Sequence, residues 1–202
     1  MDFRDKILGQ VGSMFMKEGI RSVTMDDISK ELGVSKKTIY LYFENKADLL
    51  NHFMTAHLSH QQQQLETIRN KAQDAIDEMF LINQHVMRMM GATNPQLIFD
   101  LQRYYPTLWT EFNNRKEEEI FQTVHSNLQR GLGEDVYRKS LNPEIIARLY
   151  VYRSMFMMDQ KIMPCGGPNA VEFIHQVLIY HMQGVMNETG RKVFNERLKM
   201  EA

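Results

Sequence analysis

This chain of 202 residues has one cysteine, five prolines, one tryptophan and no dominant charge. A lone Cys165 excludes an internal disulfide framework and suits a reducing compartment, so a cytoplasmic protein is expected. No apolar run approaches the roughly 20 residues that cross a bilayer, and no membrane partner is expected. The start of the chain carries Asp2, Arg4, Asp5, Lys6, Lys17 and Glu18, which does not read as a signal peptide. Twenty-four Lys and Arg against 25 Asp and Glu give a net charge of -1. A polyanionic partner would therefore have to be met by charge sorted by position, with modest, salt-sensitive non-specific affinity. Strand-type alternation is missing throughout, and helical periods dominate. The expected fold is all-α.

The most informative stretch is TMDDISKELGVSKKTIYLYFENKADL, Thr24 to Leu49. Thr24 is a helix N-cap whose hydroxyl accepts an orphan backbone N–H. Asp26 and Asp27 follow in the first turn, where the helix dipole favours negative charge. Ile28 and Leu32, four apart, bury one face. Gly33 ends the helix in the left-handed conformation, Val34 plugs the corner, and Ser35 caps the next helix. Lys36, Lys37, Thr38, Tyr40 and Tyr42 give that helix a polar surface, while Ile39 and Phe43 anchor it inward. Asn45 or Lys46 starts the following helix, with Leu49, Leu50 and Phe53 as its apolar stripe. A helix, a tight turn and a second short helix rich in donors is an arrangement for the DNA major groove.

The stretch resembles the TetR family of bacterial regulators. The match runs through Ile7, Leu8, Val11, Phe15 and Gly19, then Val23-Thr24, Ile28, Leu32-Gly33-Val34-Ser35, Thr38-Ile39-Tyr40, Tyr42-Phe43, Lys46 and Leu49. It covers roughly the first quarter of the chain. The family often has Ala where Ser29 and Leu32 stand, and Gly where Lys37 stands. Lys37 lies on the groove-facing side, so that departure bears on which bases are read. The resemblance implies an N-terminal three-helix bundle with a helix-turn-helix, residues 1–48, and a larger C-terminal helical domain for effector binding and dimerisation, residues 49–202. Lys36, Lys37 and Tyr40 are the expected base contacts, a lysine favouring guanine O6 and N7. Thr24, Ser35, Thr38, Tyr42 and Lys46 are the expected phosphate contacts.

The remainder reads as helices punctuated by Pro and Gly. A long helix is expected from Lys46 to about Asn70, its polar end containing Gln61 to Gln64. Another spans Ala72 to Met90, with Ile76, Phe80, Met89 and either His85 or the pair Ile82 and Val86 inward. Gly91 to Pro95 breaks the chain before a short helix to Tyr104. Pro106 opens a helix patterned by Leu108, Phe112, Phe121, Val124, Leu128 and Leu132. Gly131 to Pro143 connects to two strong helices, Pro143 to about Met163 and about Pro168 to Thr189, separated by Pro164-Cys165-Gly166-Gly167-Pro168. A charged segment closes the chain.

The last two strong helices are apolar on more than one side, so one side can face a second subunit. The family implies a homodimer sealed there by a four-helix bundle, and Ile174, Val177, Leu178, His181 and Val185 are the expected interface. The central helices concentrate aromatics and methionines, which suit an adaptable apolar pocket, although such stripes are more often core. Met87, Met90, Phe99, Arg103, Tyr105, Trp109, Phe112, Phe121, Arg153 and Met157 are the candidate pocket residues, with Arg103 and Arg153 able to meet an acidic group. His57 and His60 have a metal-compatible spacing, and His52 lies nearby, but no carboxylate or cysteine completes a set, so no metal is expected. Cys165 has no resolving partner and reads as a plain thiol. Lys116 to Glu119 reads as a solvated face. No cofactor and no catalytic residues are expected.

The expected function is a transcriptional repressor, bound as a homodimer to a palindromic DNA operator and released by a small apolar or amphipathic effector. The alternatives are a DNA-bound architectural or cell-division factor on the same fold without an effector, and an enzyme using the histidines or Cys165, for which no acid–base set is found.

Overall fold

A computed structural model describes residues 2–92, 94–157 and 170–201. Among them the chain is all-α: α1 Phe3–Glu18, α2 Met25–Leu32, α3 Lys36–Tyr40, α4 Lys46–Lys71, α5 Ala75–Ala92, α6 Pro95–Tyr104, α7 Pro106–Gly133, α8 Pro143–Met157, α9 Ala170–Val185 and α10 Glu188–Glu201. The Pro164–Pro168 break, Cys165 and Met158 lie outside the described residues. Packing divides the chain into two compact units, Met1–Gln62 with Ala92–Lys116, and Gln63–Gly91 with Glu117–Ala202. Residues 49–62 and 92–116 thus pack with the N-terminal helices.

In the first unit, Ile7, Val11 and Phe15 of α1 are fully buried with Ile28 of α2, Ile39 of α3 and Leu49 and Leu50 of α4. Their spacing puts one apolar stripe of each helix inward, which is why elements as short as α3 persist. Asn94 caps α6 by accepting the Gln96 N–H, with Pro95 at the first helical position. Asp100 of α6 is fully buried. Its carboxylate accepts the backbone N–H of Arg21 at 2.7 Å and the Gln96 side-chain amide at 2.7 Å. The turn between α1 and α2 is held by that bond.

The second unit is built around Ile76, Met79, Phe80, Leu128, Tyr137, Leu178, Met182 and Phe194. Several polar groups inside it are paired. Arg130 reaches Glu134 at 2.7 Å, Glu78 at 3.0 Å and the Ala72 carbonyl at 3.0 Å. Tyr137 donates to Asn127 at 2.9 Å, and Asn127 donates to the Ala75 carbonyl at 2.8 Å. Helix α9 ends at Val185 rather than running to Thr189, because Met186 makes an isolated bridge to Tyr137 and Asn187 donates to the Asp135 carbonyl. The charged tail is helix α10, anchored by fully buried Phe194 and by Arg197 on Asp74 at 3.0 Å. Ile82 is buried in α5, whereas Val86 stays 36 % exposed.

Two predictions follow from this packing. A Cβ at Gly131 would stand 2.1 Å from the Tyr137 ring, which Asn127 holds in place. Gly131→Ala should therefore lower the unfolding free energy by about 1–3 kcal/mol, as overpacking does, despite alanine's better helix propensity. Urea titration measures it, and an unchanged midpoint would show that Tyr137 is free to retreat. His181 is buried, and burial pushes its pKa down to about 3, with the Arg153 charge second. The unfolded chain takes a proton near pH 6.5 while the folded one stays neutral, so this contribution is complete above that pH and is lost as pH falls below it. Between pH 7 and 5 stability should fall by up to about 1.4 kcal/mol per pH unit from this residue, and His181→Gln should flatten that slope in urea titrations.

Candidate nucleic-acid interface

Helices α2 and α3 are set by their caps. Thr24 accepts the Asp27 N–H at 3.2 Å, and Asp27 accepts the Thr24 N–H at 2.9 Å and its hydroxyl at 2.6 Å. This reciprocal box satisfies donors that the first turn leaves unpaired. The bonds from Thr24 also hold the Asp27 carboxyl below the usual carboxylate range. Gly33 then takes φ 65°, the left-handed conformation that a β-carbon disfavours. The Ser29 hydroxyl donates to the Val34 carbonyl at 2.7 Å and closes the corner. Ser35 opens α3 by accepting the Thr38 N–H at 3.1 Å.

Buried Ile39 and Phe43 turn one side of α3 inward, so the other side faces out. Lys36 and Lys37 are exposed, and Tyr40 is 47 % exposed. Lys36 Nζ pairs with Asp26 at 2.9 Å, and that bond raises the ammonium pKa. Sequence reasoning did not anticipate this pair, because its partners sit ten residues apart across the turn. Tyr42 is 39 % exposed and packs near the Phe3 ring at 5.6 Å.

The expected phosphate contacts are more committed than the sequence suggests. The hydroxyls of Thr24, Ser35 and Thr38 already serve the caps, Ser35 and Thr38 meeting at 2.9 Å. Lys46 is half-buried and donates to the Ile20 carbonyl at 2.6 Å. Burial holds its pKa below the usual lysine range, while Asp100 and Asp27 work against that shift. Arg21, which the sequence did not single out, stacks on Tyr104 at 5.1 Å and donates to its hydroxyl at 2.7 Å. An open cleft of about 430 Å³ lies between the start of α4 and the α6–α7 corner, lined by Asn45, Asp48, Asn51, Tyr104, Tyr105 and Thr107 among others.

The candidate pocket residues fall in both units. Tyr105, Trp109 and Phe112 pack on the core of the first, with Trp109 and Phe112 stacked at 6.1 Å, while Phe99 and Arg103 are exposed. Met87, Met90, Phe121 and Arg153 are half-buried residues of the second. Met157 closes α8, and its side chain lies outside the described residues. Of the expected interface residues, Ile174, Leu178, His181 and Val185 are buried within their own chain, and Val177 is half-buried. The four buried side chains are thus covered within the single chain already. The apolar residues left outward are Ile145, Leu149, Tyr152 and Phe156 on α8, and Phe173 and Tyr180 on α9. His52 meets Arg4 at 2.8 Å and His57 meets Gln61 at 2.6 Å.

Two capped helices around a glycine turn, with a cationic outward side, define a helix-turn-helix DNA-binding head. Residues 13–53 match the model of bacterial regulatory proteins, tetR family. Over those residues the chain is similar to the DNA-binding head of that family. It is 23 % identical over 115 residues to the biofilm operon icaADBC HTH-type negative transcriptional regulator IcaR of Staphylococcus aureus, a match covering 57 % of this chain and 56 % of that one. The aligned stretch thus spans little more than half of that relative. The uncharacterized HTH-type transcriptional regulator YvaF of Bacillus subtilis is 20 % identical over 147 residues, 72 % of this chain and 76 % of that one. The fold matches E. coli NemR in its reduced form with TM-score 0.72 and 14 % identity, over 92 % of this chain and 98 % of that one. It also matches a putative regulator from Saccharomonospora viridis in complex with choline, with TM-score 0.67 and 18 % identity, over 92 % and 98 %.

Lys46→Met tests the head's internal wiring. It leaves the Ile20 carbonyl without its donor, and unfolding free energy should fall by about 1–2 kcal/mol. Unchanged stability in a thermal or urea titration would mean that water replaces the ammonium at no cost.

Proposed function

We propose that this protein is a transcriptional repressor that binds a palindromic operator as a homodimer and leaves it when a small apolar or amphipathic effector binds. One observation carries the reading: Lys36, Lys37 and Tyr40 stand outward on a short helix fixed by two side-chain caps. Residues 1–48 read DNA, and residues 49–202 carry the effector site and the dimer. Two such helices enter successive major grooves about 34 Å apart. Lys36, Lys37 and Tyr40 touch base edges, while Thr24, Ser35, Thr38, Tyr42 and Lys46 lie against phosphates. For Lys46 this requires the ammonium to share or exchange its Ile20 partner. Repression is supported by IcaR, which is named a negative regulator. A small-molecule effector is supported by the choline complex of the Saccharomonospora viridis regulator. Effector and operator oppose each other through a coupling of about 1–3 kcal/mol.

The dimer forms through the outward side chains of α8 and α9. Ile145, Leu149, Tyr152 and Phe156 recur every three or four residues, one stripe of α8. Tyr152 and Tyr180 are 75 % and 77 % exposed, large apolar surfaces that a lone chain would leave in water.

Selection from random DNA, followed by binding titrations against salt, tests the DNA reading. Lys36→Ala or Lys37→Ala should relax preference at one base position, losing about 1–3 kcal/mol there. Lys46→Ala should weaken all sequences alike and flatten the log–log salt slope by about one. A selected motif unchanged by both Lys36 and Lys37 variants would remove α3 from readout.

A paired substitution tests assembly by light scattering and melting. Leu149→Glu with Tyr180→Glu should yield monomers that remain folded. Ile174→Glu with Leu178→Glu should instead unfold the chain, because unpaired charges would enter its core. A dimer surviving the first pair would place the interface elsewhere.

A further inference from the structure

Arg153 of α8 has a buried guanidinium whose Nε and Nη2 have no acceptor. Its Cζ lies 4.3 Å from the centre of the Tyr150 ring. Burial holds its pKa below the usual arginine range, opposed by the Tyr150 hydroxyl. On α9, His181 meets the Tyr150 ring edge-on at 4.7 Å, and burial keeps that imidazole neutral. Among the described residues, the neighbours of Arg153 are therefore aromatic, and no carboxylate pairs with it.

Two half-buried arginines of the same unit are held by carboxylates. Arg130 has two carboxylates within 3.0 Å and a backbone carbonyl besides. Arg197 has Asp74 and Asp77. A buried charge without a partner is costly. Among the described residues, no acceptor meets Nε or Nη2 of Arg153.

The two idle donors point to the nature of an acceptor. Nε–H and the adjacent Nη2–H share one edge of the planar guanidinium and run parallel, the geometry that takes both oxygens of one carboxylate. The guanidinium itself lies over the Tyr150 ring. Ile146, one helical turn away on the same face of α8, is packed against the unit's apolar core. A cationic fork next to apolar surface fits a molecule with an acidic head and an apolar body.

We propose that the Nε–Nη2 edge of Arg153 is the anion-binding end of a ligand site in the second unit, and that its ligand is a small carboxylic acid with an apolar body. This rests on the reading that the protein is ligand-responsive, and it narrows the effector to an acid. The ligand supplies the missing counter-charge, and the chain pays for the empty site in stability.

Calorimetric titration of the full chain with hexanoate, decanoate and palmitate, each against its matching alcohol, tests the proposal. At least one acid should bind roughly 10- to 100-fold more tightly than its alcohol, the worth of a charge-assisted pair. Arg153→Met should abolish that preference while keeping the alcohol's affinity, and Arg153→Lys should restore only part of it. Arg153→Met should also raise the melting temperature of the ligand-free protein, because it removes an unpaired buried charge. Three results would overturn the proposal: no acid preferred over its alcohol, a preference that survives Arg153→Met, or a lowered melting temperature, which marks a structural arginine. Monomers on light scattering of Arg153→Met would overturn it as well, placing the acceptor on a second copy of the chain. The selected operator, titrated with and without the bound acid, separates the two claims. An acid held by Arg153 that leaves operator affinity unchanged keeps the site and removes the effector reading.

Discussion

The bond between the Asp100 carboxylate and the backbone N–H of Arg21 fixes the turn that leads into the helix-turn-helix. The turn between α1 and α2 has few residues with which to fix itself, and a buried backbone N–H needs an acceptor. Asp100 supplies it at 2.7 Å from a fully buried position, steadied by Gln96. Next to it, Lys46 holds the Ile20 carbonyl at 2.6 Å. The turn is thus gripped by one anion from α6 and one cation from α4. Helix α2 begins at Met25, four residues after Arg21, and α3 follows from its cap and corner.

The head's hydroxyls illustrate a competition that its motif conceals. Thr24 and Ser35 each already satisfy a helix end, and the Thr38 hydroxyl is taken up by that of Ser35. A hydroxyl carries one donor and two acceptor positions, so a cap that uses an acceptor leaves the donor for a phosphate oxygen. In Thr24 the donor is engaged as well, by Asp27. Phosphate contact there would exchange one charge-assisted bond for another, with little net gain. Lys37, with no ion pair among the described residues, is the more available cation of the pair on α3, since Lys36 is drawn to Asp26.

The second unit shows how a helical core carries polar groups without losing order. Arg130 bridges Glu78, Glu134 and backbone carbonyls, and Tyr137 and Asn127 tie the Ala75 carbonyl. Fully paired, such groups specify which helix ends meet, whereas apolar contacts alone would tolerate sliding. Arg153 departs from that rule, and the departure gives it a meaning that its burial alone would not.

Much of the fold was legible because its signals are local. Caps at Thr24 and Ser35, Gly33 in the turn, and prolines at 95, 106 and 143 act within a few residues, so their helices could be read from the chain alone. The outward set on α3 followed, since Ile39 and Phe43 fix which side is inward. What only tertiary structure decided depends on partners far apart in sequence. Asp100 is 79 residues from Arg21, and nothing near either announces the bond. The end of α9 was settled by Tyr137, on a distant loop. The same holds for the apolar helices α8 and α9, where period shows that two sides are apolar but not which one the core takes. Leu178 and Ile174 went inward, and Tyr152 and Tyr180 were left outside. A helix's own pattern sets its faces, and only its neighbours choose among them.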